Sequence, residues 1–224
     1  MTGNVDGGIA HLRMALAEAA RLLTVDAENT SFQENDGLYS IQLARWLRVS
    51  GDATAASPLA TRGLRVFERL AAKDPGNAGW QRSLALARVE LAEQAHDSGD
   101  EAGAREHARR ALAILEPQLA DQSGNRDTVL ATLGARTLLA AVADDPGTAR
   151  KLREQALAMA QAQTSGRNDP RLLALQVEAL LALGRRAEAD VLLPRLWSTG
   201  FRDPRFIALL GRQGIRAPAP LGQA

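Results

Sequence analysis

Cysteine is absent from the 224 residues. Its absence excludes disulfides, thiolate nucleophiles and cysteine-held zinc or iron–sulfur centres, and leaves cytosol and periplasm equally open. An excess of charge is also missing. The 27 basic residues are matched by 26 acidic ones, for a formal charge of +1. A general nucleic-acid binder normally shows a clear basic surplus, so nucleic acid is not an expected partner. Lysine is nearly missing, with only Lys73 and Lys151 among the cations; the rest are arginines, suited to planar contacts with carboxylates. No apolar run approaches the roughly 20 residues of a membrane span. The stretch from Met1 to Gly8 has no basic segment leading into an apolar one, so no signal peptide is expected there.

What is present is an ordinary globular balance, 46% hydrophobic and 24% charged. A chain of this length forms one large domain or one repeat array, and buries about 70% of its unfolded surface. Self-similarity decides between the two. At an offset of 48 residues, Asn29, Asn77 and Asn125 coincide, as do Gly51, Gly99 and Gly147. Leu43, Leu91 and Leu139 follow, then Ala60, Ala108 and Ala156, with the pairs Phe32/Trp80, Gln33/Gln81 and Asp52/Asp100. Asparagine and glycine triples in one phase point to a repeated unit.

Each unit reads as two helices. Trp80, Leu84, Ala87, Leu91 and Ala95 lie at helical spacing, and the helix stops at Ser98-Gly99-Asp100, where glycine can turn left-handed. The second helix runs from about Ala102 to Ala120. One unit earlier, Ser57-Pro58 reads as its start, a cap residue followed by proline at the first helical position. Alanines at the repeated contact positions let helix axes approach closely. The three asparagines are expected to serve turns through side-chain bonds to the backbone. After residue 165 the pattern drifts into shorter helices: Asn168-Asp169-Pro170 to Leu183, Ala187 to Trp197, and one opening at Phe201-Arg202-Asp203-Pro204 and ending near Gly211. His11 to Val25 reads as an unpaired helix of the second type. The expected fold is all-α, a right-handed solenoid of antiparallel hairpins with about ten helices and no strand. Residues 1–7 are expected to be flexible, 8–215 to form the repeat domain, and 216–224, with A-P-A-P, to be disordered.

The stretch Asp74-Pro75-Gly76-Asn77-Ala78-Gly79-Trp80-Gln81 resembles the inter-hairpin turn of bacterial tetratricopeptide-repeat arrays. Leu180-Leu181-Ala182-Leu183-Gly184-Arg185-Arg186-Ala187-Glu188-Ala189 is similar to the core of the ordinary repeat. Gly200 to Leu210 resembles the end of repeat regions that close large bacterial signalling proteins of the serine/threonine kinase or winged-helix type. The ordinary unit has about 34 residues, so this period is longer, and Ala85 and Arg88 replace the family's glycine and tyrosine in the first helix. The resemblance implies a binding module or a regulatory segment of a larger signalling protein; a metal-dependent enzyme is the remote third reading, and no enzyme is expected, because no catalytic constellation is found. Its compartment would be cytoplasmic as the chain stands, or periplasmic within a membrane-anchored protein.

In such arrays the first helix of each pair lines a concave groove. On that face the sequence places Glu34, Gln42, Arg45 and Trp46, then Arg82, Glu90, Glu93 and Gln94, then Leu130, Leu138, Ala141 and Val142. Glu34, Gln42, Arg45, Trp46, Arg82, Glu90 and Glu93 are therefore the expected partner-binding residues, with arginines and glutamates fixing the register of a peptide and the apolar end supplying area. The competing reading makes the polar residues a solvated face and the apolar ones packing. Trp46 is either a groove anchor or a core residue; Trp80 and Phe32 share one repeat position and read as packing. His96, Asp97, Asp100 and His107 are the best metal candidates, but no spacing such as H-E-x-x-H supports them, and no metal or cofactor is expected. No triad order and no phosphate loop is present. The unpaired first helix leaves a homodimer through the N-terminal end open.

Overall fold

The computed structural model describes residues 5–121, 125–164 and 169–218. Ten helices form, and no strand occurs among the described residues. They are α1 (Val5–Val25), α2 (Thr30–Val49), α3 (Ala53–Lys73), α4 (Ala78–Asp97), α5 (Glu101–Asp121), α6 (Arg126–Ala141), α7 (Pro146–Thr164), α8 (Pro170–Ala182), α9 (Arg186–Trp197) and α10 (Pro204–Arg212). Contacts divide the described chain into two compact units, residues 5–142 and residues 143–218.

The repeat is written in the caps. Asn29, Asn77 and Asn125 are the N-caps of α2, α4 and α6, and each side-chain oxygen accepts backbone N–H bonds from the first turn at 3.0–3.3 Å. At the other end Gly51 and Gly99 take φ of 92° and 84°. The Gly51 N–H donates to the Arg48 carbonyl and the Asp52 N–H to the Leu47 carbonyl, and Gly99 and Asp100 repeat the arrangement. That left-handed closure satisfies the last carbonyls of each helix. Asp52 and Asp100 then cap α3 and α5.

Gly147 does not belong to this series. It lies inside the first turn of α7 and is not among the glycines with positive φ. The α6 helix has 16 residues where α2 and α4 have 20. The structural counterpart of Asp52 and Asp100 is therefore Asp145, which accepts the Thr148 N–H at 2.6 Å. Asp169 and Asp203 cap the later helices α8 and α10; Asn168 lies outside the described residues. The spacing between successive caps is 48 residues up to Asn125, then 44 to Asp169 and 34 to Asp203.

Two helix starts differ from expectation. The α3 helix opens at Ala53 under Asp52, so Pro58 sits within it. Proline there forfeits one helical hydrogen bond, and its ring is exposed to solvent. The α1 helix opens at Val5, so residues 5–7, expected to be flexible, are helical. Residues 1–4 and 219–224 of the two expected flexible ends lie outside the described residues.

In residues 5–142 each helix packs on the next, and α2 also touches α4 as α4 touches α6. The first helices of the pairs thus form a continuous layer. Contacts between the helices of this unit rest on small residues: Ala44, Ala56, Ala60, Ala85, Ala87, Ala92, Ala104, Ala108, Ala111 and Ala135 are all fully buried. The closest approach lies between α2 and α3. A Cβ on Gly63 would stand 2.5 Å from Ile41 Cγ1 and 3.2 Å from the Gly37 carbonyl oxygen, and one on Gly37 would stand 2.7 Å from the Phe67 ring. Phe67 and Leu70 fill the core beside that contact, with Leu38, Leu64 and Trp80 packed against it.

Residues 143–218 hold together differently. Leu173, Leu180, Leu193 and Leu196 meet Phe201, Phe206 and Leu210 in one apolar cluster. The Phe201 and Phe206 rings meet edge-on at 5.8 Å, and Trp197 lies 6.1 Å from Phe206. The Arg202 guanidinium covers Trp197 at 4.9 Å. Leu180, Leu183 and Gly184 end α8, with Gly184 at φ 74°.

Candidate partner-binding surface

The seven residues expected on the groove fall into two groups. Glu90, near the middle of α4, has a side chain only 4% exposed, and it faces Arg48 of α2. The Arg48 Nε donates to Glu90 Oε1 at 2.9 Å, its Nη1 donates to Asp97 at 2.9 Å, and its Nη2 also bonds Glu93. Gln94 donates to Glu90 at 3.1 Å. Burial opposes the Arg48 charge, but Glu93, Glu90 and Asp97 outweigh it and hold the guanidinium above its ordinary range. Burial pushes Glu90 up from the usual carboxylate range; Arg48 opposes that and Glu93 adds to it. Glu90 and Glu93 thus engage a neighbouring helix of the same chain. Trp80 Nε1 donates to Glu34 at 3.2 Å across the same pair of helices, and Arg82 is half-buried.

The second group is exposed because of its place in the order of helices. Ser83, Ala87 and Glu90 of α4 are buried, and so are Ala131, Ala135 and Leu138 at the same repeat positions of α6. Their counterparts on α2 are Asn35, Tyr39 and Gln42, of which the first two are half-exposed and the third exposed. The α4 positions are covered in part by α2, and those of α6 by α4. Among the described residues α1 packs on Leu43 and Leu47 and leaves the flank of α2 uncovered. Arg45 is exposed on this flank. Trp46 is half-buried against the Ile9, Leu43 and Leu47 cluster, so its ring belongs to the α1–α2 contact with one edge toward solvent. The open stripe is therefore Asn35, Tyr39, Gln42 and Arg45, with Trp46 at its margin.

The expected apolar end of the groove is largely packed. Leu138 joins Ala92 and Ala108, and Val142 is 3% exposed. The Val142 carbonyl accepts two bonds from Arg105, at 2.8 and 3.1 Å. Only Leu130, half-buried, and Ala141, exposed, remain accessible. Small and apolar residues at these positions let α4 and α6 meet, which consumes the area assigned to a ligand.

Three of the four residues weighed for metal binding face other groups, and His107 Nδ1 is buried without a hydrogen-bond partner among the described residues. Asp97 bonds Arg48, Asp100 caps α5, and His96 Nδ1 faces Glu101 at 3.3 Å. Burial, followed by Arg88 and Arg110, lowers the His107 pKa. No group of three or more candidate ligands lies together among the described residues.

Sequence reasoning overlooked one repeated device. Arg88 of α4 donates to Glu68 of α3 at 3.0 Å, and Arg136 of α6 donates to Glu116 of α5 at 2.9 Å. Both partners recur at the 48-residue offset, and both guanidinium side chains are at most 15% exposed. The matched offset of an acid and a base was the readable signal. Arg48 was also overlooked, because it has no basic counterpart one unit later, where His96 stands.

Among solved structures, the chain is similar to the nearly identical TPR-like repeats of a protein from Podosopora anserina described as a kinesin light chain, with 22% identity, a TM-score of 0.49 and 88% of this chain and 87% of that one covered. It is also similar to BtubC (BKLC) from P. vanneervenii, with 16% identity, a TM-score of 0.48, and 99% and 96% of the two chains covered. No protein-family model and no curated protein matches the chain. No helix among the described residues is long and apolar enough to cross a membrane.

Proposed function

We propose that this chain is a protein-interaction scaffold that engages a partner helix or peptide along the open flank of α2. One observation carries the reading: Asn35, Tyr39 and Gln42 are accessible at repeat positions that are buried on both α4 and α6. A further helix laid there would continue the layer in the way α4 continues α2. The stripe also combines the chain's one tyrosine with Arg45 and the margin of Trp46, the residue types that dominate binding hot spots. Arg45 has no ion-pair partner among the described residues and favours a carboxylate on the incoming helix. Glu34 and Arg82 border the stripe, whereas Glu90 and Glu93 support it from within.

Tyr39→Ala with Arg45→Glu tests the proposal. Partner recovered with the tagged wild-type chain should fall by about tenfold with the variant at an unchanged melting temperature. Undiminished recovery overturns it. Sedimentation of the chain alone identifies a special case: a wild-type dimer that the variant abolishes makes the partner a second copy.

A further inference from the structure

The α2 flank has a neighbour that is open for the same reason. The α1, α3 and α5 helices succeed one another at 48 residues at both of their ends, so their positions correspond one to one. Ala56, Ala60 and Gly63 of α3 are buried, and so are Ala104, Ala108 and Ala111 of α5. On α3 the cover comes from α2: Ala56 packs with Leu43 and Leu47, and Gly63 lies against Ile41 and the Gly37 carbonyl. Gly8, Leu12 and Ala15 hold these places on α1 and are half-exposed. A Cβ on Gly8 would meet nothing within 4 Å. Beside them Met14 is 72% exposed, where its counterpart Arg62 reaches across to Asp36 of α2. Glu18, in the place of Val66, pairs with Arg21 of its own helix and marks the polar end of this face.

In the later pairs one helix fills the corresponding place. The α2 helix lies on α3 and also touches α4; α4 lies on α5 and touches α6. A helix in that relation to α1 and α2 covers Gly8, Leu12 and Ala15 together with Asn35, Tyr39 and Gln42, so a single occupant closes both open faces. The existing seams also state its chemistry. Where the helices cross, α2 presents Gly37 to Gly63 and α4 presents Ala85 to Ala111, and a β-branched residue, Ile41 or Val89, packs in the same seam one turn on. Further along α2, Arg48 meets Glu90 and Glu93 of α4. On α2 those two places hold Gln42 and Arg45, so the polarity is inverted and the matching group on the occupant is a carboxylate. At the place of Asp36, the exposed Met14 matches an apolar residue instead. The chain's own first helices carry Arg48 and His96 at the place of the carboxylate; neither is acidic, which disfavours a second copy.

We infer that a helix of another protein lies against α1 and α2 together, running in the direction of α2, with alanine or glycine over Ala15, an apolar residue beside Met14 and a carboxylate facing Arg45 and Gln42. The assignment rests on the α2 flank as the binding surface; it adds a second wall and the residue pattern that fits both. Small residues at the crossing let the two axes approach closely. Covering Met14 and Leu12 removes apolar surface from water that α2 alone leaves exposed. The carboxylate takes two parallel bonds from the Arg45 guanidinium and accepts a third from the Gln42 amide.

The probe is a fluorescein-labelled peptide with the α2 sequence Thr30–Val49 carrying Asp36→Leu and Arg48→Glu, titrated against the full chain by fluorescence anisotropy. Saturable binding is expected. The same peptide with Arg48 retained should bind about tenfold more weakly, and Arg45→Glu in the chain should reverse that order. Met14→Glu in the chain should also weaken binding about tenfold. Met14 and Arg45 are exposed, so circular dichroism should report an unchanged fold. Binding that survives Met14→Glu but falls with Tyr39→Ala and Arg45→Glu keeps the α2 flank as the surface and overturns the placement against α1. Binding indifferent to all three substitutions overturns both. An absence of saturable binding overturns the assigned helix chemistry, while recovery of the natural partner still reads the α2 flank. A dimer of the chain alone that Met14→Glu abolishes makes the occupant a second copy and overturns its assignment to another protein.

Discussion

Residues 5–142 and residues 143–218 are both stacks of short helical connections, yet they are held by different means. In the first unit fully buried alanines bring helices close, and arginine–carboxylate pairs bridge them. In the second a leucine and phenylalanine cluster does most of the packing. Close alanine contacts bury little apolar area per residue, so directional polar contacts fix which helix meets which. Large side chains bury more area and need fewer such contacts. The first unit is therefore expected to be sensitive to single charges and to added volume, and the second to lost volume.

The largest expected effect breaks the Arg48 cluster. Arg48→Ala leaves Glu90 and Glu93 facing each other in the α2–α4 seam and should cost about 3–5 kcal/mol, read from urea unfolding. The matched loss in the second unit is Leu180→Ala or Leu196→Ala, each expected to cost about 2–5 kcal/mol by the same measurement. Equal sensitivity of both units to charge removal would erase the contrast. Next comes Gly63→Ala, which forces Ile41 aside against backbone that cannot yield; a cost of about 1–3 kcal/mol should appear in thermal melts. Asn77→Ala removes one cap and should cost about 1 kcal/mol.

The smallest effect is a pH dependence. Glu90 is raised above its ordinary value of 4.5, so the folded state binds its proton more readily than the unfolded one. Its contribution to stability is then greatest at low pH and falls as pH rises from the ordinary glutamate range through the raised value. Glu90→Gln should remove that slope while keeping the Arg48 contact, so urea midpoints of wild type and variant should diverge across that interval. Parallel midpoints would show that Glu90 ionises freely.

The caps at Asn29, Asn77 and Asn125 and the left-handed Gly51 and Gly99 were legible because each acts within a few residues of itself. Gly147 misled for the same reason: a spacing of 48 residues matched, but α6 had lost a turn, and the matching residue landed inside the next helix. Ser57-Pro58 read as a helix start because the stronger cap, Asp52, lies five residues before Ser57. The binding surface was less legible. Wheel position placed Gln42 and Glu90 on one face, and they share a repeat position, yet the first is exposed and the second buried against Arg48. What covers that face depends on whether a helix of the same layer comes before, and periodicity within one helix cannot report it.

The sequence by itself determined the helices, their caps and the long repeat, because propensity, capping and apolar spacing are local and act before any helix meets another. Only the tertiary structure decided that Glu90 faces Arg48 while Gln42 faces water. Those outcomes follow from which helices become neighbours, since a charge takes its role from the groups that displace water around it.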